Sequence, residues 1–266
     1  MRLSSCSFAF RSWVLALLLT LLGAAGCATL GGANYYSVEQ EWELGRQLEA
    51  QLSRELRLVN DAQLTRYVND LGQQLARQTE LGNQPWRFYV VQDRAINAFN
   101  VPGGLVYVNT GLIAQAGSAS ELAGVIGHEL AHGARRHGTR RLSRANELSV
   151  VAGAVLGRQP GIAQQIAAQI AAQGAFASFS RADEREADRL AVRYMARAGY
   201  DPEGLARMFE RLAEQERAGG VAFFRSHPFS AERVTAVRAE ARQVQRSGLR
   251  TNDNGFAAAR QRAQRY

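Results

Sequence analysis

The sequence predicts an α+β fold, mainly helical, with a small β-sheet or hairpin beside one central helix. Three observations lead there. Most segments carry apolar residues every three to four positions, the period of a one-sided helix. The stretch from Trp86 to Asn109 is instead rich in β-branched and aromatic residues and holds the turn residues Pro102-Gly103-Gly104. Between them in character, Glu121 to Arg136 (ELAGVIGHELAHGARR) sets Leu122, Val125, Ile126 and Leu130 on one stripe and includes the pattern H-E-x-x-H.

Residues 1–26 have the features of an export signal. Arg2 and Arg11 supply positive charge, and the apolar run Trp13 to Leu22, broken only by Thr20, is too short for a permanent membrane span. Gly23-Ala24-Ala25-Gly26 then precede Cys27, which resembles a bacterial lipobox with Ala24 where leucine is usual. Acylation would make Cys27 the mature N-terminus, tied to a membrane by its lipid, with 27–36 as a lipidated linker. Cleavage near Ala28 would leave a soluble secreted product instead. The only other cysteine, Cys6, leaves with the signal, so no disulfide is expected. The formal charge of +8 comes entirely from arginine, since the chain has no lysine. The arginines alternate with acidic residues and form no cluster interleaved with aromatics. This excludes a nucleic-acid site and suits a solvated surface that faces anionic lipid.

The folded domain is expected over 37–246. Ser37 opens a helix to about Leu58, with Gln40 completing a capping box, and Asp61 caps a second to about Thr79. Leu64, Val68, Leu71 and Leu75 share one face of that second helix. Two strands follow around the Pro102-Gly103-Gly104 turn. Pro102, Gly103 and Gly104 mark a candidate edge strand, which would pair with an extended polypeptide by strand addition. A hairpin that only packs the core fits these residues equally well. Ser118 or Ser120 caps the central helix, with Glu121 in its first turn. Arg140 to Leu156 and the Ile162, Ile166, Ile170 series suggest a helical hairpin broken at 157–161, either core or a flap. Ser180 leads into a helix ending near Gly199, and the basic segment 247–266 reads as a flexible tail.

His128 and His132 lie one helical turn apart, so both imidazoles leave the same face and can hold one Zn²⁺, with Glu129 beside the open position. Two histidines that merely hydrogen-bond within a buried helix would give the same pattern. Downstream, Glu184 and Asp188 share a face while Glu186 points away. Glu184 would complete a two-His, one-Glu site, and Asp188 would accept the far N–H of a metal-bound histidine. The plainer alternative is a solvated acidic face balanced by Arg181, Arg185 and Arg189.

Together these segments resemble the M48 metallopeptidases. The resemblance is carried by His128-Glu129-x-x-His132 with Arg136-His137, by Asn97-Ala98-Phe99 and Pro102-Gly103-Gly104, and by Ser180-Arg181-x-x-Glu184-x-x-Ala187-Asp188. That family takes in CaaX-prenyl endopeptidases, HtpX-type membrane proteases and small periplasmic or lipoprotein members. Ser226-His227-Pro228 followed by Arg233 resembles a segment of the soluble branch. The resemblance spans about Ser37 to Val244. It implies a gluzincin-type domain with one Zn²⁺ on His128, His132 and Glu184, Glu129 as general base and Asp188 behind the ligands. The lack of multiple membrane spans argues for a periplasmic protease acting on unfolded, misfolded or envelope polypeptides, on the outer membrane if lipidated. Gly138 stands where a metzincin has its third histidine, and continued helical phase points His137 about 140° off the ligand face, so His137 reads as structural, a hydrogen bonder at the helix end.

His227 is the only histidine outside the central motif and is expected on a loop. It would stabilise an oxyanion, occupy the fourth metal position and hold the enzyme latent, or only pack its turn. Tyr194 and Arg181 are the other oxyanion candidates. A peptide-binding or outer-membrane assembly factor with latent or minor protease activity is the competing function. The intact Glu129 favours an enzyme, because a pure binder has no need of it.

Overall fold

The computed structural model describes residues 34–153, 161–174, 178–219, 221–244 and 247–266. Residues 1–26, read as an export signal, Cys27 and residues 28–33 lie outside these, as does all of the 157–161 break except Gly161.

Helix α1 (Val38–Glu55) starts with the expected capping box between Ser37 and Gln40. It ends before Leu58, which leaves the helix to bridge Val91 in an extended conformation. Helix α2 (Ala62–Ala76) is capped by the Asp61 carboxylate, which accepts from the N–H groups of Gln63 and Leu64, and it buries the predicted leucine and valine stripe. Strands β1 (Arg87–Val91), β2 (Ala98–Val101) and β3 (Leu105–Asn109) form one sheet in the order β1-β3-β2. β1 runs parallel and β2 antiparallel to β3, which leaves β2 at an edge.

The turn Pro102-Gly103-Gly104 is not that edge. All three residues are buried between β2 and β3, against α1. Gly103 has φ +87°, and a Cβ on it would lie 2.5 Å from the Gly45 Cα, so only glycine fits the crossing. A turn wedged against a helix backbone has no free ladder to offer. The edge position belongs to β2 itself, which is nonetheless buried along its length. Asn109 N–H donates to Asn97 O, so by the alternation of an antiparallel ladder Ala98 and Asn100 direct their backbone groups outward.

A short helix α3 (Thr110–Gln115) leads to the central α4 (Ala119–Ala134), capped by Ser118 and buried along its whole length. A Cβ on Gly124 would lie 2.8 Å from the Leu205 Cα, and its absence lets the neighbouring helix α8 approach. After Arg136, which is left-handed at φ 57°, α5 (His137–Gly153) sets off in a new direction. Helix α6 (Ile162–Gln173) buries Ala163, Ile166, Ala167 and Ile170 against Leu44, Leu48 and Leu52 of α1 and Phe99 and Tyr107 of the sheet. The core reading of this segment therefore holds. Helices α7 (Arg181–Arg197) and α8 (Glu203–Gly219) then pack on α4, followed by the short α9 (Phe223–Ser226) and by α10 (Ala231–Ala241), which packs across α7 and α8.

The segment 247–266 departs from the flexible tail expected of it. It contains α11 (Phe256–Ala263), whose Phe256, Ala259 and Ala263 enter the main core. Arg250 bridges Tyr200, Asp253 accepts from the hydroxyls of Tyr67 and Tyr200, and Arg262 pairs with Asp61 at 2.8 Å. The basic composition masked an apolar stripe at spacings of three and four, which is enough to dock a short helix. No helix among the described residues is long and apolar enough to cross a membrane.

Candidate metal centre

Helix α4 delivers His128, Glu129 and His132, and α7 crosses it to deliver Glu184 and Asp188. The Ser180–Asp183 capping box fixes the start of α7, so Glu184 falls on the first turn facing α4. The short helix α9 contributes a residue from a third direction. His227 is not on a free loop but caps this helical turn, its N–H bonded to Phe223 O and its ring stacked on the buried Phe223 at 4.4 Å. Phe223 N–H is in turn bonded to Ile96 O beside the sheet. The segment that carries His227 is thus anchored by the Phe223 ring.

Four side chains converge. His128 Nε2 lies 3.1 Å from both His132 Nε2 and His227 Nδ1, and Glu184 Oε1 lies 3.0 Å from His227 Nδ1 and 3.3 Å from His132 Nε2. Exposure ranges from 0 % at His128 to 2 % at Glu184, and the Phe179 ring stacks over His132 at 4.0 Å. So many acceptor atoms turned toward one buried point fit a metal ion, and the four residues could each offer one ligand atom. Three nitrogens and one oxygen suit a transition metal better than the hard, all-oxygen sites of calcium or magnesium.

Glu129 is completely buried beside this point. Its Oε2 accepts from the Asn100 N–H at 2.9 Å, and Oε1 lies 3.3 Å from His227 Nε2. Burial raises its pKa, against the opposing pull of the neighbouring histidines. Asp188 Oδ1 lies 2.9 Å from His128 Nδ1, the nitrogen on the far side of that ring. Burial alone would push His128 down, but the Asp188 and Glu184 carboxylates hold it up at about 9 in the metal-free cluster. For His132 burial wins, and its pKa falls well below the ordinary value. Both Glu184 and Asp188 are held below the usual carboxylate range despite burial, Glu184 chiefly by His227 and Asp188 chiefly by Arg233.

Arg233 carries a part that spacing did not reveal. Its Nε and Nη2 donate to the two oxygens of Asp188 at 2.7 and 2.8 Å, and Nη1 lies 2.8 Å from Glu184 Oε2. Nη1 also donates to the carbonyls of His227 and Pro228, and the guanidinium stands 4.5 Å from the centre of the Phe209 ring. One cation therefore ties the His227 turn to both carboxylates. The sequence does hold a signal for it: Arg233 sits in the buried stripe of α10 with Val234, Val237 and Ala241, where an arginine implies a buried anion.

The other candidates divide. The Tyr194 hydroxyl is held by Glu80, and Arg181 is exposed on a cavity of about 520 Å³ next to Glu184, shared with Arg185, Phe229 and Arg233. Glu186 points away from the cluster, as its helical phase predicts, and pairs with Arg135 at 2.7 Å.

The family model of peptidase family M48 matches residues 62–241. The chain belongs to that family. Among M48 relatives, the beta-barrel assembly-enhancing protease of Yersinia pestis is 30% identical over 238 residues, 85% of this chain and 48% of that protein. The protein of the same name from Escherichia coli (strain K12) is 28% identical over 233 residues, 84% and 48% of the two chains. The metalloprotease LoiP of Escherichia coli (strain K12) is 30% identical over 178 residues, 66% of this chain and 68% of its own. The chain thus spans about half the length of the assembly-enhancing proteases it matches.

Proposed function

We propose that this M48 chain is a zinc-dependent endopeptidase of the bacterial cell envelope, acting on unfolded or extended polypeptides and held here in a latent state. The observation that carries the proposal is the convergence of His128, His132 and Glu184 on one point with the buried carboxylate of Glu129 beside it. Zinc bonds of about 2.0 Å in a tetrahedron give ligand-to-ligand edges of about 3.3 Å. Four of the donor separations, at 3.0 to 3.3 Å, are close to such edges, and all four donors lie within 4.8 Å of one another.

When bound, zinc supplies Lewis-acid polarisation of the scissile carbonyl and a water whose pKa falls toward neutrality. The chain's own residues do the rest. Glu129 Oε1 takes the proton of the attacking water while Oε2 stays fixed by the Asn100 N–H, and the same oxygen later returns the proton to the leaving amine. Burial favours this role by bringing its pKa nearer the working pH. Asp188 holds the His128 ring from behind, and Arg233 holds Asp188. An extended substrate would pair with the side of β2 that faces away from β3, at Ala98 and the Asn100 carbonyl, once whatever buries this strand moves aside.

As a fourth ligand, His227 would leave no place there for water or a carbonyl. Turnover therefore requires the α9 turn to swing away. This enclosure also favours the second reading, in which peptide binding or outer-membrane assembly dominates and proteolysis is minor. A lipid on Cys27 would hold the domain at a membrane facing the periplasm, and mass spectrometry of the N-terminal peptide decides that point.

One experiment tests the function: digestion of an unfolded protein by the purified mature chain, with and without chelator, beside Glu129→Gln and His227→Ala. Cleavage is expected to vanish with chelator and in Glu129→Gln, and to rise in His227→Ala with zinc retained. No cleavage by any zinc-loaded form would favour the binding factor. A fall of about 10²-fold in kcat for His227→Ala would instead make His227 an oxyanion donor.

A further inference from the structure

His132 turns Nε2 toward the cluster, so its other ring nitrogen, Nδ1, faces away from it. That nitrogen meets a second imidazole: His137 Nδ1 lies 2.8 Å from His132 Nδ1. His137 is itself buried, at 1 % exposure, and its Nε2 lies 3.2 Å from Glu186 Oε2 and 3.6 Å from Asp183 Oδ1. Glu186 is held in turn by Arg135, and Arg140 lies 3.4 Å from Asp183.

Two ring nitrogens at 2.8 Å bind each other only if one carries a proton and the other a lone pair. A His132 that gives its Nε2 lone pair to a metal must carry its proton on Nδ1. His137 Nδ1 must then be the acceptor, which puts the His137 proton on Nε2, where Glu186 receives it. We propose that His137 is a positioning residue for the metal centre, locking His132 in the Nδ1-protonated form, and that Glu186 locks His137 in the Nε2-protonated form. This rests on the metallopeptidase reading, because it takes His132 as a ligand.

The two metal-facing imidazoles of α4 are therefore braced differently. His128 leans directly on a carboxylate, Asp188, whereas His132 reaches one only through a second ring. The backbone makes this second brace possible. Continued at 100° per residue, α4 would carry position 137 off the ligand face. The left-handed Arg136 breaks the helix, and α5 starts at His137 with its ring brought back beneath His132. The break is secured by the Arg136 guanidinium, which donates to Glu41 at 2.7 Å and to the carbonyls of Tyr36 and Ser37.

The test uses the zinc-loaded mature chain. Long-range ¹H–¹⁵N spectra of labelled histidines are expected to give His132 as Nδ1–H and His137 as Nε2–H. Zinc affinity, read by competition with a chromophoric chelator, is expected to fall about 10–100-fold in His137→Leu, which keeps bulk but removes the acceptor. His137→Asn, whose amide oxygen can stand near the place of Nδ1, is expected to keep affinity close to the parent's. Glu186→Gln, on the half-exposed end of the relay, is expected to weaken zinc measurably without lowering the melting temperature, and it serves if His137→Leu fails to fold. A His137 protonated on Nδ1, or zinc affinity unchanged in His137→Leu and Glu186→Gln, would overturn the relay while leaving the metal centre intact. Failure of the parent chain to bind one zinc would sink the metallopeptidase reading, and the relay with it.

Discussion

Replacing Arg233 with leucine should cost more stability than any change at the surface of this domain. The guanidinium is 5 % exposed and spends its donors on Asp188, Glu184 and two carbonyls of the His227 turn. Leucine keeps some packing against Phe209 but strands two carboxylates, Asp188 at 3 % and Glu184 at 2 % exposure, beside each other. Breaking a buried ion pair from one side costs about 3–5 kcal/mol. For a domain of this size that lowers the melting temperature by about 10 °C. The measurement is urea and thermal unfolding of the metal-free chain, because a bound metal would add a stability of its own and mask the change. Adding Asp188→Asn to Arg233→Leu removes one stranded charge, so the double variant should lose less than the sum of the two single losses, by about 0.5–3 kcal/mol. A loss below about 1 kcal/mol in Arg233→Leu, or strict additivity with Asp188→Asn, would refute the clamp.

Two further outcomes follow from the same structure. Phe256→Ala removes a ring that is 5 % exposed in the core and should cost about 3–5 kcal/mol by urea midpoint, whereas a loose tail would lose almost nothing. Stability should also fall in acid. Asp188 and Glu184 sit below their ordinary values of 3.8 and 4.5, so the unfolded chain binds more protons than the folded one as those groups titrate. Their contribution is complete above about pH 4.5 and is lost as the pH falls through the depressed folded values. Melting temperatures of the metal-free chain should therefore drop steeply below about pH 4, and an equal value at pH 3 and pH 6 would contradict the assignment.

The sequence alone determined the features that depend on local spacing. A spacing of four positions from His128 to His132, and from Glu184 to Asp188, puts each pair on one helix face whatever surrounds it. Ser37 with Gln40, Asp61 and Ser118 mark helix starts through hydrogen bonds that span at most three residues. Tertiary structure decided what depends on meetings between distant segments. The buried Glu41 finds Arg136 and Thr139 almost a hundred positions away, and no periodicity encodes that encounter. The apolar stripe of α10 marks Arg233 as buried, but its partner is fixed only when α10 lies across α7 and Asp188 accepts it. His137 looked structural because helical phase was carried through Arg136, where the backbone in fact turns left-handed. The basic end of the chain looked unanchored because its partners, Tyr67, Tyr200 and Asp61, lie more than fifty residues upstream. Side-chain direction along one element follows from geometry, but a partner's identity waits on which elements pack together, and that is a property of the whole core.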